Sequence, residues 1–222
     1  MLKLKEQKNY VKNIIFDFDG VILDSVKLKN KAFEKIVEYY QPSIRKKFLK
    51  FHNNNLGISR KVKLKYLEKI LSDDDKQYDT KTSKKLDKII SSNLKKASLI
   101  PGIISFLKKN KGLNLFISSG TPEAYLKKKC IEKNIYKYFK RIMGTPRSKN
   151  QHILDLKSKF IINKNNTIFF GDSMTDLKVA VRHKFNFIQV GNNLNSKKVN
   201  LKIKNFKDKK LKKYQLLINK IN

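Results

Sequence analysis

The chain has 222 residues, 40 % of them hydrophobic, which is enough for one large domain with a real core and argues against a disordered protein. It contains no apolar run near the ~20 residues of a transmembrane helix and no secretory segment at its start, and its single cysteine, Cys130, excludes an internal disulfide, so we expect a cytoplasmic protein without a membrane partner. The formal net charge of +34 suggests nucleic acid as a partner, but lysine is spread through nearly every segment, which favours a solvated basic surface.

The first predicted strand is the apolar run NIIFDF, residues 13–18, and it is associated with an unusual pair of acids. Asp17 lies within this run and Asp19 follows it. Unpaired carboxylates are costly in apolar surroundings, so they normally bind a metal or accept a dense set of hydrogen bonds. The pair therefore marks a candidate site at the end of the first strand.

About ninety residues follow before the next predicted strand, far more than one crossover helix requires. Helical patterns occupy this interval, from KAFEKIVEYY at 31–40 to KKLDKIISSNL at 84–94. We therefore predict a small helical cap domain over residues 25–98, inserted into a core domain formed by residues 1–24 and 99–222.

Five further short apolar runs predict strands. They lie at 113–118, 141–144, 167–171, 185–190 and about 202–206. Most are continuous instead of alternating, as in parallel strands that are buried on both faces. Helical patterns at 122–134 and 148–160 separate them, and a closing helix is expected through Leu217. Strands that alternate with helices predict an α/β fold with a doubly wound parallel sheet.

Polar residues follow several of these strands, and in an open α/β sheet the ligand lies beyond the carboxyl ends of the strands. Ser119 ends the second strand, and Asp172 and Asp176 follow the fourth. Together with the first pair, four carboxylates should converge on one edge, where a hard cation such as Mg²⁺ would neutralise them. The histidines show no ligand spacing and are interpreted as surface or structural residues: His52, His152 and His183.

These segments resemble, in the same order, the four motifs of the haloacid dehalogenase superfamily, specifically the members with a helical cap after the first strand. DFDGV at 17–21 is similar to the first motif, ISSGTP at 117–122 to the second, and GDSMTD at 171–176 to the fourth. Lys149 matches the lysine of the third motif, with Lys140 and Arg147 as alternatives. The resemblance covers essentially the whole chain and implies a Rossmann-like core that carries out phosphoryl transfer.

The resemblance also implies roles for the individual residues. Asp17 would attack phosphorus to form an aspartyl-phosphate, and Asp19 would protonate the leaving oxygen and later activate the hydrolytic water. The Mg²⁺ ligands would be Asp17, the backbone carbonyl of Asp19, Asp172 and Asp176. The groups that bind the phosphoryl oxygens would be Ser119, the amide of Gly120 and Lys149.

A short loop in the cap bears on substrate choice. GISR at 57–60 resembles a loop of β-phosphoglucomutases, so Arg60 is either a specificity residue or part of a plain helix-capping loop. Lys29 and Leu56 replace a histidine and a lysine that those mutases usually carry, which favours a hydrolase. We therefore expect a Mg²⁺-dependent phosphatase, compatible with a monomer, that acts on a small phosphorylated metabolite such as a sugar phosphate or a phosphoglycolate-like compound. The alternatives are a sugar phosphomutase and a basic nucleic-acid-binding protein on a hydrolase scaffold.

Overall fold

The computed structural model describes residues 11–71, 79–192 and 194–211, and the expected closing helix through Leu217 lies outside these ranges. Within them the strands are β1 (Asn13–Phe16), β2 (Asn114–Pro122), β3 (Arg141–Thr145), β4 (Thr167–Gly171), β5 (Asn186–Val190) and β6 (Leu201–Ile203). All pair in parallel in the order β3-β2-β1-β4-β5-β6. The predicted doubly wound parallel sheet is confirmed, including its short sixth strand.

Helices occupy the intervals between the strands. They are α1 (Val26–Val37), α2 (Pro42–Asn54), α3 (Arg60–Ile70), α4 (Asp79–Lys95), α5 (Ile103–Lys109), α6 (Glu123–Glu132), α7 (Lys149–Lys159) and α8 (Met174–Arg182). No helix in the described part of the chain is both long and apolar enough to cross a membrane.

The two faces of the sheet are both buried, because successive strand residues point to opposite sides. Phe16 of β1 lies beside Phe170 of β4, with ring centroids 5.3 Å apart, and their face packs against α5 and α6. Ile15 lies beside Phe169 and faces α7 and α8 on the other side. This double burial explains why the strands read as continuous apolar runs.

Helices α1–α4 fill the long interval between β1 and β2, as predicted. Phe33 of α1 and Phe48 of α2 pack together with ring centroids 6.1 Å apart, and the apolar sides of these helices belong to one buried cluster. Pro42 lies in the first turn of α2, where its fixed φ and missing N–H are tolerated. The helices thereby form a second layer above the carboxyl ends of the strands.

Candidate active site

Three buried carboxylates meet at the carboxyl edge of the sheet. Asp17 directly follows β1, and Asp172 directly follows β4, its neighbour in the sheet. The backbone N–H of Asp17 donates to the carbonyl of Phe170 at 2.9 Å, which fixes the end of β1 against β4. Oxygens of Asp17, Asp172 and Asp176 all lie within 4.8 Å of one another. This is the point at which the chain's progress across the sheet reverses, the usual location of a ligand in such folds.

Lys149 is the cation of this cluster. It begins α7, where Ser148 caps the helix in a capping box with Gln151. Its buried ammonium lies 3.0 Å from Asp17 Oδ1 and donates to Asp176 Oδ1. Arg147, one of the two alternatives considered from the sequence, instead pairs with Asp155 on the surface. The sequence-predicted lysine is therefore the one that reaches the acids.

Asp176 is held by its own helix as well as by the lysine. It occupies the third position of α8, and its Oδ2 accepts hydrogen bonds from the hydroxyl of Ser173 at 2.5 Å and from the backbone N–H of Ser173 at 3.1 Å. With Oδ1 bound to Lys149, both of its oxygens have donors. A Cβ on Gly171 would lie 2.4 Å from the Asp176 side chain, so only glycine permits this approach. Asp176 therefore orients Lys149 toward Asp17.

With all three carboxylates ionised, the cluster would carry more negative charge than Lys149 can balance. Burial and the nearby Asp176 together raise the pKa of Asp17 to about 7, although Lys149 acts to lower it. Burial and the proximity of Asp17 raise the pKa of Asp172 well above its usual value. Burial alone would lower the pKa of Lys149, but the carboxylates of Asp17 and Asp176 raise it. A set of hard oxygen donors with excess negative charge fits a divalent cation such as Mg²⁺.

Asp19 points away from the three-carboxylate cluster. Its oxygens accept hydrogen bonds from Ser25 Oγ at 2.6 Å and from Thr121 Oγ1 at 2.7 Å, and Lys29 forms an ion pair with it. Burial would raise its pKa, but the ammonium of Lys29 and the surrounding donors outweigh burial and lower it. The next residue, Gly20, has φ +77° and would place a Cβ 2.3 Å from Asp172 Oδ2. The turn that follows Asp19 beside Asp172 therefore requires glycine.

The loop at the end of β2 completes the core side of the site. Ser119 is buried, and its hydroxyl accepts a hydrogen bond from the backbone N–H of Thr121 at 3.2 Å. A Cβ on Gly120 would lie 2.6 Å from the carbonyl oxygen of Gly57. The hydroxyl of Thr175 also donates to the carbonyl of Leu56 at 2.8 Å. The 56–57 segment thus contacts the core through its backbone.

A pocket with about 640 Å³ of empty space, open solvent at its mouth included, lies between the sheet edge and the helical layer. The predicted site residues that line it are Asp17, Asp19, Arg60, Ser119, Gly120 and Asp172. Lys149 and Asp176 lie behind Asp17 and are not part of the lining. Ser59 accepts a hydrogen bond from the N–H of Val62 at 3.4 Å, so the 57–60 loop both caps α3 and places Arg60 at the pocket.

Five further polar or charged residues line the pocket that were not predicted as site residues from the sequence. The helical layer contributes Lys29, Asn30, His52 and Lys63, and the core contributes Thr121. The interpretation of His52 as a surface or structural residue is therefore incomplete, since its ring lines the pocket. A signal existed, because Ile44, Phe48 and His52 recur every four residues and place the histidine on the buried side of α2. His152, by contrast, is structural and lies 3.0 Å from Ser118 Oγ and 3.1 Å from the Gly144 carbonyl oxygen.

Comparison with solved structures identifies the fold. A β-phosphoglucomutase from Clostridium difficile is 22 % identical, with a TM-score of 0.70 over 95 % of this chain and 98 % of that one. A predicted phosphoglycolate phosphatase from Haemophilus somnus is 18 % identical, with a TM-score of 0.70 over 92 % and 98 %. A haloacid dehalogenase-like hydrolase from Streptococcus pneumoniae is 16 % identical, with a TM-score of 0.69 over 92 % and 99 %.

Comparison with family models identifies the family itself. No curated protein matches the sequence. The model of the haloacid dehalogenase-like hydrolases, however, matches residues 14–190, which span β1 to β5 and every element that contributes to the pocket. The chain therefore belongs to the haloacid dehalogenase-like hydrolase family.

Proposed function

We propose that the protein is a Mg²⁺-dependent phosphatase that hydrolyses a small phosphorylated metabolite through an aspartyl-phosphate on Asp17. The observation that carries the proposal is the cluster of Asp17, Asp172 and Asp176 around Lys149, at the base of the pocket between the sheet edge and the helical layer. Residues 25–98 act as the cap over this pocket, and residues 1–24 with 99–222 act as the core. The cap excludes bulk water, which would otherwise compete for the bound phosphoryl group.

Asp17 is the nucleophile in this proposal. Its Oδ1 accepts hydrogen bonds from the N–H of Phe18 at 2.7 Å and from Lys149, and these leave its other oxygen for attack on phosphorus. Asp17 and Asp172, with Asp176 and the Asp19 carbonyl in support, would hold Mg²⁺, whose positive charge would let the anionic phosphoryl group approach. Transfer to Asp17 divides one difficult displacement into two easier ones.

Asp19 is the general acid and general base in this proposal. Its carboxylate, held ionised by Lys29, is in the form that removes a proton from the water that hydrolyses the aspartyl-phosphate. To protonate a leaving oxygen it must first take up a proton itself. Ser119 and the amide of Gly120 bind the phosphoryl oxygens from the core side, Lys149 stabilises them from behind Asp17, and Arg60 contacts the remainder of the substrate.

The proposal is tested by release of inorganic phosphate from a panel of small phosphomonoesters, with Mg²⁺ or with chelator. We expect turnover of at least one panel member with Mg²⁺ and none with chelator. Folded protein that releases no phosphate from any member, or the same amount in both conditions, would contradict the proposal.

Mg²⁺ should stabilise the protein more at high pH than at low pH. The folded-state pKa of Asp17, about 7, exceeds the usual 3.8 of an unfolded chain, so between these values the folded protein holds a proton that the unfolded chain has lost. The metal-free protein therefore loses stability as pH rises through this window. Mg²⁺ requires the ionised carboxylate, so its affinity should weaken by up to about tenfold per pH unit below about pH 7.

The melting temperature with Mg²⁺ and with chelator, at about pH 5.5 and about pH 8, measures this linkage. The increase caused by Mg²⁺ should be clearly larger at the higher pH. Equal increases at the two pH values would show that Asp17 does not exchange its proton for the metal.

A further inference from the structure

A row of three polar side chains crosses the helical side of the pocket, opposite the acids. Lys63 of α3 has its Nζ 3.0 Å from Nδ1 of His52 on α2, and Nε2 of His52 lies 3.0 Å from Oδ1 of Asn30 on α1. Lys63 and His52 are only 4 % and 2 % exposed, yet all three residues line the pocket. Three helices therefore place one buried ammonium group at the wall that faces the sheet.

Among the residues that the structure describes, Lys63 has no carboxylate partner. None of their ion pairs involves Lys63, and the charge that acts on it is the ammonium of Lys29. Burial and repulsion from Lys29 lower its pKa to about 8. Burial and Lys63 together lower the pKa of His52 to about 4, so the ring is neutral, accepts from Lys63 and donates to Asn30.

An aromatic ring also lies beside this lysine. The Lys63 ammonium lies 5.0 Å from the ring centroid of Phe33, which is itself buried. The ring face and the imidazole nitrogen partly stabilise the cation, but neither cancels its charge. Buried lysines are normally paired with an acid, and one that is unpaired in a pocket wall is a site for an incoming anion.

The phosphoryl group cannot be that anion if it reacts at Asp17. The phosphoryl end of the proposed site is formed by core residues, namely Asp17, Ser119 and Gly120, whereas Lys63 belongs to the helical layer across the pocket. A ligand that bridges the two walls would place its leaving group, not its phosphorus, beside Lys63. Arg60 lines the same pocket, whereas the ammonium of Lys29 is already paired with Asp19.

We propose that Lys63, positioned by His52 and Asn30, binds a second anionic group, a carboxylate or a further phosphate, on the leaving group of the substrate. The inference rests on the proposed phosphatase function and narrows its range of substrates. Phosphates whose leaving alcohol carries no charge should be poor substrates. Charge-assisted hydrogen bonds in a buried site discriminate by about 10- to 100-fold against a ligand that lacks the charge.

Matched pairs of phosphomonoesters test this inference. The pairs are 3-phosphoglycerate with glycerol 3-phosphate, 2-phosphoglycolate with 2-hydroxyethyl phosphate, and fructose 1,6-bisphosphate with fructose 6-phosphate. We expect the unaltered protein to favour the acidic member of at least one pair by about 10- to 100-fold in kcat/KM. Preference within the first two pairs identifies a carboxylate, and preference within the third identifies a phosphate.

Lys63→Met should reduce the ratio of kcat/KM for the acidic member to kcat/KM for the neutral member toward one. Lys63→Arg should retain most of the preference for the acidic member. Lys65→Met is the matched control, because Lys65 lies on the same helix but is exposed, and its ratio should equal that of the unaltered protein. A ratio near one in the unaltered protein for all three pairs, or an unchanged ratio in Lys63→Met, would overturn the proposal.

Binding to Asp17→Asn, measured by calorimetry with the same pairs, separates the two proposals. If the unaltered protein releases phosphate from no compound, but Asp17→Asn binds the acidic members more tightly than the neutral ones, the phosphatase function is wrong and the anion site stands. Equal affinity for the acidic and neutral members of every pair, including no binding of either, overturns the anion site. This measurement needs no variant at Lys63, so it decides the matter even if Lys63→Met fails to fold.

Discussion

Asp17→Asn should abolish phosphate release while making the metal-free protein more stable. The amide cannot attack phosphorus, and loss of a nucleophile lowers kcat by a factor on the order of 10⁴ to 10⁶. Stability should rise because the ionised Asp17 is buried beside Asp172 and Asp176, whereas asparagine is neutral. From the raised pKa of Asp17, we expect the free energy of unfolding at about pH 8 to increase by about 1–3 kcal/mol.

Urea denaturation with chelator at about pH 8 and about pH 5 measures the change in stability. The gain should be smaller at the lower pH, because there the unaltered Asp17 already holds a proton in the folded state. A variant that keeps more than a few per cent of the activity would exclude Asp17 as the nucleophile. A variant that is inactive but less stable at both pH values would contradict the stability prediction. It would show that the attraction between Asp17 and Lys149 outweighs the cost of burying Asp17 beside Asp172 and Asp176.

Lys149→Met should have the opposite effect on stability. Removal of one partner from a buried ion pair leaves uncompensated charge, here on Asp17 and Asp176, and costs about 3–5 kcal/mol. Phosphate release should fall by a factor on the order of 10² to 10³, because the transition state loses one fixed positive charge. Mg²⁺ should restore part of the lost stability, since it neutralises the same acids.

Lys159→Met provides the control for this variant. Lys159 lies at the exposed end of the same helix, and its replacement removes the same charge without touching the acids. Its free energy of unfolding should stay within about 0.5 kcal/mol of that of the unaltered protein. If Lys149→Met were no less stable than Lys159→Met, the three carboxylates would have to be protonated in the metal-free protein.

The sheet and the acid cluster can be predicted from the sequence because each strand is a continuous local run and each acid lies at or just after the end of a strand. Ile15 and Phe16 face opposite sides of the sheet and are both buried, so β1 has to be a continuous apolar run. Asp17 and Asp172 come directly after two strands that pair in parallel, and their meeting follows from that pairing alone. Lys149 could be assigned only through its place in a motif.

The helical wall of the pocket could not be predicted in the same way. His52 and Lys63 meet only because α2 and α3 turn particular sides toward each other, and the hydrophobic pattern of neither helix specifies the angle between them. Lys63 is also one of 52 basic residues, so its type carries almost no information. The orientation of the Asp19 carboxylate depends in part on Thr121, which is 102 residues away in the sequence.

The contact between the 56–57 segment and the core has a consequence for how substrate preference can diverge. Both interactions use carbonyl oxygens, that of Leu56 with Thr175 and that of Gly57 against Gly120. Mutations that exchange the side chain of Ile58 or Arg60 therefore leave the docking of this segment intact. Substitutions at these positions can change which leaving group the enzyme accepts while the helical layer still fits the core. A side chain at position 120, in contrast, would require the backbone at Gly57 to move away.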